Sequence, residues 1–149
     1  MHVLVIGAAG MVGRKLVEKL AADQSVFGFE VGRLTLADAI GPPVPPALQG
    51  IATVLTMDLA GPGEPEKLIA GRPDVIFHLA AVVSGEAEAD FDKGYAVNLD
   101  GSRALFEAIR HENMREAYFP RVIFASSIAV FGQPFPEKIG DEFFTTPLT

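Results

Sequence analysis

Three glycines, Gly7, Gly10 and Gly13, stand at the spacing G-x-x-G-x-x-G, directly after the apolar run His2 to Ile6 and directly before a stretch with helical periodicity. The run is short and rich in β-branched residues, so it reads as a strand buried on both faces, which a parallel sheet requires. Val12, Leu16, Val17 and Leu20 then recur at helical spacing, with Arg14, Lys15, Glu18 and Lys19 on the outer side. Strand, glycine turn and helix in this order let a backbone approach a phosphate closely. They also aim the first helical amides, those of Met11, Val12 and Gly13, at the anion. Glycines occur in ordinary turns too; the flanking strand and helix make this turn a phosphate-binding candidate.

Further strands are expected at Arg33 to Ala37, Ala52 to Met57, Asp74 to Leu79 and Arg121 to Ala125. The segment Gly41 to Gly50 carries Pro42, Pro43, Pro45 and Pro46 and reads as a loop where a crossover helix would otherwise stand. Glu64 to Ala70 predicts a short helix, and Phe91 to Asn113 a long or broken one whose inner stripe is Tyr95, Leu99, Leu105, Phe106 and Ile109. Strands alternating with helices predict a doubly wound parallel α/β sheet of the Rossmann type, with helices on both faces and ligands beyond the carboxyl ends of the strands. Residues 1–149 are expected to form a single dinucleotide-binding domain, its sheet incomplete at the C-terminal end.

The chemically suggestive residues fall at those strand ends. Asp38 follows the second strand, where a carboxylate accepts hydrogen bonds from the adenosine ribose hydroxyls and repels a 2′-phosphate. Two unit charges about 4 Å apart repel by about 4 kcal/mol at an effective dielectric of about 20, so NAD is expected in preference to NADP. Asp38 could equally cap a turn. Its distance from Gly13 is longer than usual, with the extra residues assigned to Asp23 to Gly32. Asp58, beside Leu59, is positioned to accept from an adenine amino group. Leu79-Ala80-Ala81 are small enough for a cofactor to lie against their backbone, or for plain helix–sheet packing. Ser126 and Ser127 end the fifth strand, where a hydroxyl can hold a substrate oxygen, although serines after strands commonly only turn the chain. Ser84, Gly85 and Glu86, in the loop after the fourth strand, are substrate-contact candidates or a solvated turn. His78 reads as a core residue or one behind the site, and His2 and His111 as surface or strand-edge residues.

Composition narrows the partners. A formal charge of −7 and a pI near 4.9 disfavour nucleic acid and anionic membranes, which are bound by clustered Lys and Arg. No apolar run is long enough to span a bilayer. The chain has no Cys, and its three His lack ligand spacing. No disulfide and no metal is therefore expected, and the cysteine-free composition is ordinary for a cytoplasmic protein.

Taken in order, these residues resemble the extended short-chain dehydrogenase/reductases of the NAD-dependent epimerase/dehydratase family. The resemblance is carried by Gly7, Gly10 and Gly13, Asp38, Asp58-Leu59, His78-Leu79-Ala80-Ala81, Tyr95 to Gly101 (YAVNLDG), and Val122 to Ser127 (VIFASS) followed by Val130-Phe131-Gly132. It implies that Asn98 lies near the cofactor and that Ser127, with Ser126 beside it, is the catalytic hydroxyl. Ala81 to Glu86 and Ser126 to Pro136 are similar to the D-erythronate dehydrogenase-like branch, whose members are often labelled nucleoside-diphosphate-sugar epimerases. UDP-galactose epimerases commonly have a cofactor-holding Lys where this chain has Val83. A releasable NAD suits a dehydrogenase better than an epimerase.

The family's Tyr-x-x-x-Lys pair does not occur in these residues: Leu99 stands four after Tyr95, and Val122 four after Tyr118. The resemblance puts that pair shortly beyond Thr149, and the chain is expected to be the N-terminal part of a longer enzyme, inactive alone and lacking a C-terminal substrate domain. The expected partner is a sugar acid or a nucleotide sugar, within carbohydrate metabolism; family members commonly dimerise through helices, and Phe91 to Asn113 is either a candidate face for a homodimer or a stripe that simply covers the sheet. Three functions stay open: a sugar-acid dehydrogenase, a nucleotide-sugar epimerase or dehydratase, and a non-catalytic NAD-binding module.

Overall fold

The computed structural model describes residues 1–147. Its strands are β1 (His2–Ile6), β2 (Ser25–Val26), β3 (Phe29–Glu30), β4 (Arg33–Asp38), β5 (Ala52–Thr56), β6 (Val75–His78) and β7 (Arg121–Phe124). The α-helices are α1 (Met11–Asp23), α2 (Glu64–Ala70), α3 (Ser84–Ala89), α4 (Phe91–Tyr95) and α5 (Ser102–Arg115). A π-helical turn, Ala96–Gly101, joins α4 to α5, and short 3₁₀ turns cover Pro46–Leu48 and Ile128–Val130.

Five strands form one parallel sheet in the order β5-β4-β1-β6-β7. The chain therefore runs outward from β1 to β5, crosses back, and continues on the other side from β6 to β7. That reversal beside β1 is the Rossmann arrangement, with its crevice at the carboxyl ends of β1, β4 and β6.

Every residue of β1 is buried, because helices cover both faces of the sheet. Val3 and Val5 point into one core with Val17 and Leu20 of α1 and with Leu34, Leu36 and Leu48. Leu4 and Ile6 point into the other with Leu68 and Ile69 of α2 and Leu105 and Ala108 of α5. The proline-rich loop makes no crossover helix; its 3₁₀ turn instead plugs the first core with Leu48, which is fully buried.

Three expectations need correction. Residues 84–86 lie in helix α3, not in an open loop. His2 is buried on the central strand: one ring nitrogen lies 2.9 Å from the Thr35 hydroxyl and the other 3.1 Å from the Gly71 carbonyl oxygen, in place of the surface or strand-edge position expected. The supposed inner stripe divides: a π-helical turn interrupts its α-helical spacing at Ala96–Gly101, and within the following helix the neighbours Leu105 and Phe106 point about 100° apart. Leu105 is buried and Ile109 packs on the core, whereas Tyr95, Leu99 and Phe106 are about half exposed. The extra residues before Asp38 form the antiparallel β2–β3 hairpin, within the assigned segment. His111 is exposed.

Candidate cofactor cleft and the strand ends around it

A cleft of about 680 Å³ opens at the carboxyl ends of β1, β4, β5 and β6, within the range of small-molecule sites, about 300–1,000 Å³. It gathers Gly7, Gly10, Asp38, Asp58, Leu59, Leu79, Ala80, Ala81 and Glu86 from the sequence-predicted set. Met11, Val12 and Gly13 adjoin it as the first turn of α1. Ser126, Ser127, Gly85 and Asn98 are not among its lining residues.

The three glycines have different local reasons. Gly7 has φ +88°, and a Cβ there would sit 2.5 Å from the Ala80 amide nitrogen, so the turn closes tightly on the loop after β6. A Cβ on Gly13 would overlap the Gly7 carbonyl oxygen and lie 2.8 Å from the Ala8 Cα, so Gly13 lets α1 seat on the turn. Gly10 is the exposed one: its Cβ would meet only the Gly7 carbonyl oxygen, at 3.3 Å. Gly10 is also the N-cap of α1, and it has no side chain to satisfy the helix's first amides. No acidic residue occupies the first turn. Those amides lack intrahelical acceptors by construction and carry the positive end of the helix dipole, so they are open to an anion.

The carboxylate of Asp38 accepts from the Ala9 amide at 2.8 Å and from the Ile40 amide at 3.2 Å. It therefore fastens the end of β4 to the glycine turn while facing the cleft. Asp58 accepts from the Ala60 amide at 3.0 Å, which orders the turn that brings Met57, Asp58 and Leu59 to the rim. On the opposite wall Glu86 of α3 pairs with Lys93 of α4 at 2.5 Å, and Lys93 also lines the cleft. The Glu86 carboxylate holds the exposed Lys93 ammonium above its ordinary range. Nothing in the periodicity of residues 84–95 marked Lys93 beforehand.

Asn98 lies outside the cleft but controls one edge of it. Its side-chain oxygen accepts from the Val82 amide at 2.8 Å, and its amide nitrogen donates to the Val82 carbonyl at 2.9 Å. Ser126 and Ser127 are exposed at the end of β7, where the Ser127 hydroxyl oxygen accepts from the Ala129 amide at 3.1 Å. His78 is fully buried, as a core residue, with the Phe124 ring edge-on at 5.2 Å. Neither tyrosine stands at a cleft wall. Tyr118 is buried at the opposite end of the sheet and donates to the Pro73 carbonyl at 2.8 Å, and burial pushes its hydroxyl far above the usual phenol range. Tyr95 stacks on Phe91 on the exposed side of α4.

Residues 3–149 match the family model described as the NAD dependent epimerase/dehydratase family. The chain belongs to that family. Its family relatives include D-erythronate dehydrogenase of Cupriavidus necator, 39% identical over 99% of this chain and 45% of the relative. D-erythronate dehydrogenase of Haemophilus influenzae is 36% identical over 99% of this chain and 44% of its own length. A solved structure described as the nucleoside-diphosphate-sugar epimerase from Agrobacterium tumefaciens is 59% identical, superposes with a TM-score of 0.92, and is matched over 99% of this chain and 43% of that one. The chain thus spans less than half the length of these relatives. Among the described residues, no helix is long and apolar enough to cross a membrane.

Proposed function

We propose that this chain is the NAD-binding part of an oxidoreductase that transfers a hydride at a hydroxyl of a small, D-erythronate-like sugar acid. The observation that carries the reading is the convergence, in one cleft, of an uncapped helix N-terminus, an exposed Gly10 and the carboxylate of Asp38. Those residues fit a dinucleotide. The amides of Met11, Val12 and Gly13 suit its diphosphate, and Asp38 suits a ribose bearing two free hydroxyls. Asp58 and Leu59 suit the adenine, and Leu79, Ala80 and Ala81 present a flat backbone to the remainder. When bound, NAD supplies the hydride acceptor.

Ser127, with Ser126 next to it, is proposed to hold the reacting oxygen by a hydrogen bond. The proton is proposed to move through a Tyr-x-x-x-Lys pair outside residues 1–149, and a substrate domain is proposed beyond them. Glu86 and the start of α3, Ser84 and Gly85, are proposed to face the substrate side. A cytoplasmic location goes with this reading, as does association of two copies through the exposed Phe91, Tyr95, Leu99 and Phe106. The 39% and 36% identity to two D-erythronate dehydrogenases, over 99% of this chain in each case, supports a sugar acid.

A second reading, a nucleotide-sugar epimerase or dehydratase, is favoured by the description of the 59% identical structure. Incubating the full-length enzyme and NAD with aldonates, uronates and UDP-sugars separates the two. Net NADH formation with an aldonate supports the dehydrogenase, and sugar interconversion without net NADH supports the epimerase. Silence with every substrate despite NAD binding would favour a non-catalytic module. Residues 1–149 alone are expected to turn over none of them.

A further inference from the structure

The loop 79–82 forms one wall of the cleft and touches the glycine turn, since the Leu79–Ala80 peptide is the group a Cβ on Gly7 would strike. Both ends of this loop are tied to one stretch of helix. At its far end, Val82 exchanges two hydrogen bonds with the Asn98 side chain. At its near end, His78 Nε2 lies 2.8 Å from the Ser102 hydroxyl oxygen.

The direction of that last bond follows from proton counting. Ser102 has one hydroxyl proton and donates it to the Asn98 carbonyl, 2.8 Å away, so its oxygen accepts from His78, whose Nε2 must carry the hydrogen. The chain of donors therefore runs His78 to Ser102 to the backbone of Asn98, the residue whose side chain clamps Val82. Burial keeps the imidazole neutral by lowering its affinity for a second proton.

Two features set this apart from ordinary core packing. Nδ1 of His78 is buried with no hydrogen-bond partner among the described residues, a cost that an apolar side chain of the same size would avoid. The residues it reaches through Ser102 form a π-helical turn, Ala96–Gly101, a geometry less stable than the α-helix and held where a side chain must be re-aimed.

We propose that His78 and Ser102 are positioning residues for the cofactor cleft, which with Asn98 staple both ends of the loop 79–82 to the π-helical turn. Neither touches the dinucleotide; they act through Asn98 and Val82. The proposal rests on the NAD-binding reading for its consequence but not for its geometry, which is testable without ligand.

The experiment uses Ser102→Ala and Ser102→Thr in the intact protein. Amide hydrogen exchange at Val82 is measured without ligand, and NAD affinity by calorimetry. In Ser102→Ala, Val82 should exchange on the order of tenfold faster while the amides of β1 hold their protection, because only a local tie is lost. NAD should bind roughly fivefold more weakly, the worth of one such hydrogen bond. Ser102→Thr keeps the hydroxyl and should restore both, and nitrogen NMR of the unmodified protein should find His78 in the Nε2–H tautomer. Unchanged Val82 exchange in Ser102→Ala would overturn the staple, as would a loss spread evenly over β1, which marks a merely structural role. If the unmodified protein binds no NAD, the functional reading fails, while Val82 exchange still decides the staple.

Discussion

The Asp38 carboxylate and the Ala9 amide, 2.8 Å apart, join the end of β4 to the glycine turn after β1. An acidic group that is expected to grip a ribose thus also shapes the loop that is expected to hold the diphosphate. Replacing it changes both halves of the site at once. Asp38→Asn keeps the size and an acceptor oxygen but loses the charge. It should weaken NAD binding by on the order of tenfold or more, since hydrogen bonds to charged groups are worth about 1.5–3 kcal/mol. It should also narrow the preference for NAD over NADP, because the repulsion of a 2′-phosphate is removed. Titrating both coenzymes into each form checks this, and an unchanged ratio contradicts the assignment.

The glycines should separate stability from affinity. Gly7→Ala and Gly13→Ala each force a Cβ into backbone and should cost about 1–3 kcal/mol or more, read as a lower urea midpoint. Gly10→Ala meets only the Gly7 carbonyl oxygen, at 3.3 Å. It should leave the midpoint within about 1 kcal/mol while weakening NAD binding. Equal effects of all three on stability would argue that the turn is purely architectural.

Much of this arrangement was legible in the sequence, for physical reasons. β1 and α2 were found at their observed bounds because an uninterrupted apolar strand and a helix flanked by glycines have few alternative readings. The prolines of 42–46 correctly excluded a crossover helix. Less legible was whatever depended on tertiary contact. The β2–β3 hairpin pairs only two residues on each strand, too few for periodicity to register. α3 is six residues of small and acidic side chains with no apolar stripe. His2 looked like a terminal polar residue until Thr35 and Gly71 supplied partners for both its nitrogens. Ser102 carried one faint signal, a hydroxyl four residues after Asn98, where it can bond back to the carbonyl of the preceding turn.

Acid should weaken the fold through its two buried histidines. Burial holds both His2 and His78 below the ordinary value of 6.5. The unfolded chain therefore takes up protons on both rings as pH falls through about 6.5, while the folded chain resists until lower pH. Unfolding binds protons in that window, so stability is full above it and declines below it. Urea midpoints should be lower at pH 5.5 than at pH 7.5. His2→Gln, even if less stable at every pH, should flatten that slope. A midpoint that rises on acidification would contradict the burial assigned to these rings.

The exposed apolar face that runs from α4 through the π-helical turn into α5 makes a prediction about assembly. Leu99→Glu with Phe106→Glu places charge on residues that are 55% and 46% exposed, so the monomer fold should persist with its core intact. If two copies associate here, sedimentation should find the doubly substituted protein at half the mass of the unsubstituted one. Identical masses would remove this face from the account.

The central claim, that the glycine turn and Asp38 form a dinucleotide site, is tested most directly by calorimetric titration of NAD into the intact protein and into its Asp38→Asn and Gly10→Ala variants. Saturable binding with one site per chain, weakened in both variants at unchanged fold, is the predicted result. Absence of binding heat with both NAD and NADP, or binding indifferent to both substitutions, would contradict it.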